Sequence, residues 1–576
     1  MEPSISPAGA TAWRSDPDKR FDRLCILGLY IASLAPRLFA IVCPPTTFYY
    51  NFDERDTVMF SALDRFFGIP SVSIMEPATI VQLLSLPFYA LDMLIRFGVP
   101  HHLAECLDKI AVYLSIATRD PRHVITITRV LVAFLCSLAP MFAYQIARRR
   151  LRASVAVAMA CGLVVAIHPM FFFQSVMAAG DSVAATLVLL SVSVLMSDRW
   201  PDITRIGWSA VLFAAAVGSK ITAASVIVLP LMLVLWEPLM PLSRRIRLAV
   251  LFGATSFVAF LAFVPFAWTD PLRFAKAVFG TINKSGGEFN FEALWNLFVE
   301  AHGIVLVFGV AIAVAVAIPI IVSRWPQQGR YAAASVITLL IMIVPVALHS
   351  TTAYSRYLVP AVPGIVILFA AIGGAIVTKR ALNRLAVGVL AFMVVSMAWK
   401  EFQVQIRLRK GNDLVDALRA TSSITGVTST LIPSSGFELQ IVEMPRSFWL
   451  RMARRAAEME HGQGVRSFVE QHGISPRVAD VLVTIFNEHE QSDSRHAAAA
   501  AMTAPNLPYD VFVYAEREGE STARQPQIDM SVEKAMSELR SEQNATAILV
   551  RQPDSSLGTP VWQGHAEWFW YVVGPR

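Results

Sequence analysis

Long apolar runs alternate with short charged ones along the first 400 residues, and the pattern stops after Trp399. The runs are about 18–22 residues long, the length a helix needs to cross the hydrocarbon core of a bilayer. They predict spans at 22–42, 123–147, 153–173, 182–197, 206–219, 221–237, 248–266, 302–322, 331–348, 357–377 and 385–399, about eleven crossings. The stretch 206–237 reads equally as two short helices or as one long one. Ala78–Phe97 is also apolar. A span there would invert every later loop, and its interior Pro87 and Asp92 fit a helix lying along or dipping into one membrane face.

The short loops sort by charge. Lys19-Arg20, Arg148-Arg149-Arg150 with Arg152, Arg244-Arg245 with Arg247, Arg324 with Arg330, and Lys379-Arg380 with Arg384 all fall on one side. The positive-inside rule makes that side cytoplasmic. An odd number of spans then puts 43–120, 271–300, the loop around His349–Arg356 and everything after about Lys400 on the outer side. The segment 1–21 is polar, contains proline and lacks a small-residue cleavage site, so the first span is expected to stay as an anchor.

Past the last span the texture changes. Thr430–Ile432, Val511–Tyr514, Ala547–Val550 and Trp568–Val573 read as strands, and Asp413–Ala420, Ser447–Glu460 and Ser531–Glu542 as amphipathic helices. The expectation is one soluble α/β domain over 401–576, outside the cytoplasm. Ala497–Ala501 is low-complexity, a linker or a helix surface, and Asn544-Ala545-Thr546 fits a glycosylation sequon. No Gly-rich phosphate loop or Cys/His metal spacing occurs in this domain. Its expected role is acceptor binding or structural cover.

Composition agrees with the pattern. The chain is 55% hydrophobic and only 16% charged, against about 25% charged for soluble domains. That excludes an ordinary soluble protein, and the net charge of +6 informs less than its placement. Cys25, Cys136 and Cys161 lie in spans, as small apolar filler. Cys43 and Cys106 both fall outside, where they could pair.

Four groups of residues could carry chemistry. Asp53-Glu54, with Arg55 and Asp56, follows the first span. Asp53 is equally readable as the N-cap of a helix over about 54–67, closed by Gly68, with Glu54 and Asp56 in its first turn. Asp181 is an acid in apolar surroundings at the outer end of a hairpin of spans, where an acid faces the interior or caps the next helix. Lys220 is a lone cation between Arg205 and Glu237, calling for an anionic partner or a snorkelling route to the interface. Arg356, followed by Tyr357, sits at the outer mouth of the tenth span, suited to a phosphate or to interfacial anchoring. All four fall on the outer face. Acids that accept a proton, beside cations that hold a phosphate, meet the requirement for moving a group off a lipid phosphate.

The arrangement resembles the GT-C membrane glycosyltransferases, which include protein O-mannosyltransferases and lipid A aminoarabinose transferases. The resemblance covers about residues 20–400. It rests on Asp53-Glu54, then Glu76-Pro77 leading into the apolar helix with Pro87, Arg129 before the basic cluster at Arg148, and Asp181. It continues with Gly218-Ser219-Lys220 and with Ser355-Arg356-Tyr357 before Pro360 and Pro363. The resemblance implies a polyprenyl-phosphate-linked sugar donor, an acceptor on protein, lipid or polysaccharide, and inversion at the anomeric carbon. It implies Asp53 as general base or acceptor-orienting acid, Glu54 as its support and Asp181 as the second acid. Lys220, Arg356 and Tyr357 would hold the donor phosphate. Related sequences often carry an arginine shortly before the second acid, where this chain has Met177-Ala178-Ala179-Gly180. Some members use a divalent metal, and no ligand spacing here decides for or against one. No nucleic-acid partner is implied. The competing readings are a transporter or flippase of lipid-linked saccharides, and a membrane-anchored sensor whose function lies in the outer domain. A transporter would place its charges near mid-membrane and often shows two similar halves; no internal repeat is evident.

Overall fold

The structure, a computed structural model, describes residues 16–42, 79–113, 122–275, 289–350 and 355–410, apart from one or two positions at a time within them, and six short strands between 429 and 573. The helical part consists of α1 (Asp16–Val42), α2 (Thr79–Phe97), α3 (Arg122–Cys136), α4 (Ala139–Gln145), α5 (Val155–Ala166), α6 (Pro169–Val176), α7 (Gly180–Leu195) and α8 (Asp202–Ser219). It continues with α9 (Val228–Leu235), α10 (Leu242–Phe263), α11 (Phe291–His302), α12 (Ile304–Ser323), α13 (Gln328–Leu348), α14 (Val362–Ile376) and α15 (Arg380–Lys410). Eight helices among the described residues are long and apolar enough to cross a membrane, or nine if the bent pair α5 and α6 is one span. This is a polytopic helical membrane protein.

Every one of the eleven expected segments is helical. Seven belong to the long set, and the eighth long helix is Ile80–Phe97. The segment 153–173 is bent by 50° between α5 and α6, and 182–197 and 221–237 are shorter apolar helices. The ambiguity over 206–237 resolves into two elements. Helix α8 stops at Ser219, Lys220 is extended (φ −155°, ψ 121°), and a 3₁₀ turn over Ile221–Ile227 leads into α9. Helix α2 has its first turn near the end of α8, with Ile80 beside Gly218. Its Tyr89 hydroxyl meets Thr128 at 2.5 Å, and its Asp92 is bonded by Arg96 and by the Tyr113 hydroxyl, both at 2.9 Å. The acid inside this apolar helix is therefore partnered.

Helices α7 and α14 form the interior. Nearly all of α7 is buried, and so is nearly all of α14. Small and hydroxylated residues allow the close approach. Ser191 of α7 and Ser209 of α8 each donate to the other's backbone carbonyl, at 2.8 and 2.9 Å, which joins the two helices without exposing a polar group to lipid. At one end of the bundle the basic clusters meet acids. Asp22 accepts from Tyr144 at 2.6 Å and lies 3.5 Å from Arg148. Asp202 pairs with Arg205 (2.7 Å) and Arg244 (2.6 Å), and Glu237 with Arg330 (3.0 Å). These are the loops that the charge bias assigns to the cytoplasm.

Helix α15 runs 31 residues, about 46 Å at the usual rise. It outlasts the expected 385–399 by several turns. Beyond it, β1 (Ser429–Pro433), β2 (Asp510–Ala515), β3 (Met530–Ser531), β4 (Thr546–Val550), β5 (Trp562–Gln563) and β6 (Phe569–Val573) form one sheet in the order β3-β2-β1-β4-β6-β5. Strands β1 to β4 pair in parallel, and β6 runs antiparallel to β4 and β5. Four of the six strands coincide with the stretches expected from alternation. The two-residue strands β3 and β5 are too short to leave a pattern. Ser531 belongs to β3, and the rest of that expected helix lies outside the described residues. So do the helices over Asp413–Ala420 and Ser447–Glu460, the Ala497–Ala501 run and Asn544-Ala545.

The tightest helix contact involves Gly374 of α14. A Cβ built there would lie 2.1 Å from the carbonyl oxygen of Leu151, and one on Gly373 would lie 2.5 Å from a Val157 methyl. Backbone cannot yield as a side chain can. Gly374→Ala is expected to destabilise by about 1–3 kcal/mol, the usual cost of overpacking, read as a lower apparent melting temperature in detergent. Gly388→Ala on α15, where nothing lies within 4 Å, is expected not to lower it.

Candidate functional site

Three interruptions of regular helix come together in the bundle. The first is between α5 and α6. Pro169 disfavours α geometry at the residue before it, and His168 turns extended (φ −60°, ψ 120°) to cap α6, its Nδ1 accepting the Phe171 N–H at 3.1 Å. The second is the extended residue Lys220. The third is the 3₁₀ turn Ser355–Ala361, which contains Pro360 and leads into α14 with Pro363 in its first turn. This turn packs against α6, α7, α11 and the Ile221–Ile227 turn. Irregular backbone at membrane depth survives only where protein or a cavity lines it.

Asp181 and Lys220 meet at this junction. The Lys220 ammonium is 3.7 Å from the Asp181 carboxylate, and both side chains are almost fully buried, at 4% and 2% exposure. Asp181 does not cap α7: that position is Ala179, whose side chain makes no capping bond, and Asp181 sits in the first turn, where a carboxylate suits the helix dipole. Lys220 does not snorkel. Its side chain turns inward to Asp181, and its ammonium lies 5.9 Å from the ring centroid of Tyr357. Arg356 approaches the same ring, with its guanidinium carbon at 5.8 Å. Two cations thus share one aromatic ring beside one carboxylate. The pair is held by packing. Desolvating an ion costs several kcal/mol, which mutual attraction offsets only while both partners are present.

The turn that delivers Asp181 is tight. Ala178 is left-handed (φ 43°) and buried, a conformation uncommon outside glycine. The Ala179 N–H reaches back to the Gln174 carbonyl at 3.2 Å. Met177-Ala178-Ala179-Gly180 is therefore a compact hinge of small residues after Met177, with no room allotted to a long side chain.

Three further polar groups near this end were not singled out in the sequence. Arg37 of α1 is wholly buried between the rings of Phe171 and Phe172, at 5.5 and 5.0 Å. His168 and His302 touch through their rings, Nε2 to Nδ1 at 2.8 Å. Because His168 Nδ1 accepts the Phe171 N–H, its proton is on Nε2 and is donated to His302. Lys400 of α15 donates to the carbonyls of Val299 and Glu300, closing the C-terminal end of α11. Arg37 carried a usable signal, being the lone charge between Arg23 and Asp53. The two histidines lie 134 residues apart, and no local pattern joins them. Arg129 is also buried.

Asp53 and Glu54 lie outside the described residues, as do Glu76, Pro77 and Cys43. Among the described residues no group of three or more His, Cys, Asp or Glu side chains could hold a metal ion. Asp181 faces an ammonium, which opposes a second cation at that carboxylate. The described part of the site does not fit a divalent metal.

Compared with solved structures, the chain is similar to ArnT from Cupriavidus metallidurans bound to undecaprenyl phosphate, with 14% identity and a TM-score of 0.43 over 98% of this chain and 100% of that one. It is similar to the same enzyme in the apo state, with 14% identity and a TM-score of 0.42 over 97% and 99% of the two chains. No protein-family model matches the chain, and no curated protein does.

Breaking the buried pair should be costly and mending it cheap. Asp181→Asn or Lys220→Met alone is expected to destabilise by about 3–5 kcal/mol, and the double variant by clearly less than the sum. Melting temperatures of the four proteins in detergent check this. His302 gives a pH signature. Burial first, and then the charge of Lys400, press its pKa down to about 4. The folded state then binds fewer protons than the unfolded one, whose histidine titrates near 6.5. Stability from this group is present above about pH 6.5 and is lost as pH falls towards 4. His302→Gln, which can still accept from His168, is expected to flatten the fall in melting temperature across that window.

Proposed function

We propose that the chain is a glycosyltransferase that moves a sugar from a polyprenyl-phosphate donor to an acceptor hydroxyl or phosphate at the outer face of the cytoplasmic membrane. The observation that supports this most is the buried Asp181–Lys220 pair with Tyr357 and Arg356 beside it. It lies at the end of the bundle opposite the basic clusters. An ammonium has three donors, so Lys220 can hold Asp181 and a phosphate oxygen together. Arg356 adds the bidentate geometry that phosphate favours.

In the reaction, an acceptor oxygen attacks the anomeric carbon as the bond from that carbon to the phosphate oxygen breaks. The polyprenyl phosphate leaves as an anion, neutralised by Lys220 and Arg356, so its departure requires no proton. Where the acceptor is a hydroxyl, its proton passes to Asp53, with Glu54 in support. Asp181 holds Lys220 in place and serves as the second acid of the site. Attack opposite the leaving phosphate inverts the anomeric centre. The domain over 401–576 is then extracytoplasmic and available to the acceptor.

One observation favours the alternative reading, a transporter or flippase of lipid-linked saccharides. Helices broken at His168 and Lys220 are a device of substrate-binding sites in transporters. A single assay separates the two. Membranes containing the protein are given a radiolabelled polyprenyl-phosphate sugar, and both transferred label and label moved across the bilayer are counted. Transfer is expected, with Asp53→Asn lowering it at least 10²-fold, as loss of a general base does. Undiminished transfer in Asp53→Asn removes the base assignment, and translocation without transfer removes the enzyme reading.

A further inference from the structure

We propose that Arg37 is a positioning residue for Asp181, acting by fixing the bend between α5 and α6. This deepens the reading above, because it rests on Asp181 belonging to the site. The guanidinium spans the break. Its NH1 donates to the carbonyl of Ala166, the last residue of α5, at 3.1 Å, and its Nε donates to the hydroxyl of Ser175 on α6 at 2.6 Å. NH1 also donates to the hydroxyl and carbonyl of Ser33 one turn back on α1, both at 2.7 Å. Phe171 and Phe172 of α6 close over the cation.

One side chain therefore ties together the end of one helix, the body of the next and the helix it belongs to. A rigid planar fork can do this, whereas a lysine cannot satisfy both sides of the break at those angles. The consequence reaches Asp181 through a short path. Ser175 stands two residues before Met177, the left-handed Ala178 follows, and Asp181 opens α7. Ser175 in turn donates to the Phe172 carbonyl at 2.7 Å, so its hydroxyl is oriented to accept from Arg37. Helix α6 also packs against the 3₁₀ turn that carries Arg356 and Tyr357. Changing the bend moves the carboxylate relative to Lys220, which hangs from a different broken helix.

The test is a three-site cycle. Asp181→Asn, Lys220→Met and their combination are made with Arg37 intact and again with Arg37→Lys. The apparent melting temperature of each protein is read in detergent. The non-additivity between Asp181 and Lys220 is expected to fall by at least half when residue 37 is lysine. Coupling of the same size in both backgrounds overturns the proposal, however far Arg37→Lys lowers the melting temperature by itself. Should Arg37→Lys fail to fold, Ser175→Ala, which removes the α6 acceptor together with its bond to the Phe172 carbonyl, is read in the same way. In the sugar-transfer assay, Arg37→Lys is expected to lower kcat at least tenfold with donor KM within twofold. It should add no further loss to Asp181→Asn, and a multiplicative loss overturns the proposal. If the unaltered protein transfers no sugar, the functional reading fails, and the coupling measurement still decides the role of Arg37.

Discussion

A lysine and an aspartate buried together in an apolar helix bundle form the constraint around which this structure is arranged. Neither ion is tolerable alone at that depth, so each must be brought to the other by elements that cannot drift. Asp181 comes from the start of α7, one of the two interior helices, after a left-handed turn at Ala178. Lys220 comes from an extended residue between α8 and a 3₁₀ turn. The serine knot between Ser191 and Ser209 fixes those two helices to each other. The 3₁₀ turn from Ser355 places Tyr357 beside the lysine and Arg356 beside Tyr357. The turns that deliver Asp181, Lys220 and Tyr357 all interrupt continuous α-helix.

That departure has a cost that the surroundings meet locally. The break at His168 frees backbone groups of α5 and α6, and Arg37, His168 and Pro169 satisfy or remove them. The carbonyls at the end of α11 are bonded by Lys400. Arg37, His168 and Lys400 thus support the broken backbone around the Asp181 junction. At the opposite end the acids Asp22, Asp202 and Glu237 take up the basic loops. Those contacts are more exposed than the Asp181–Lys220 pair.

Much of this was legible in the sequence. Lengths and hydropathy located the helices, because the bilayer imposes one length on them all, and the alternation after Trp399 located β1, β2, β4 and β6. Lone charges in apolar runs marked Asp181 and Lys220 as needing partners. That they need each other was not legible, since 39 residues and two helices separate them, and only the direction of each break brings them together. Two local alternatives also fell to tertiary packing: Asp181 is not a cap, and Lys220 does not reach for the interface. Arg37 gave the same signal as Lys220 and was hidden by its place in a strongly apolar first span. The His168–His302 contact left no trace, because its two halves belong to distant helix ends.

The central claim is that the cations beside Asp181 hold the phosphate of a polyprenyl donor. Binding of polyprenyl phosphate to the purified protein in lipid nanodiscs tests it most directly. The account predicts saturable binding that weakens at least tenfold, about 1.4 kcal/mol, in both Lys220→Met and Arg356→Ala. Equal affinity in the unaltered protein and both variants would contradict it.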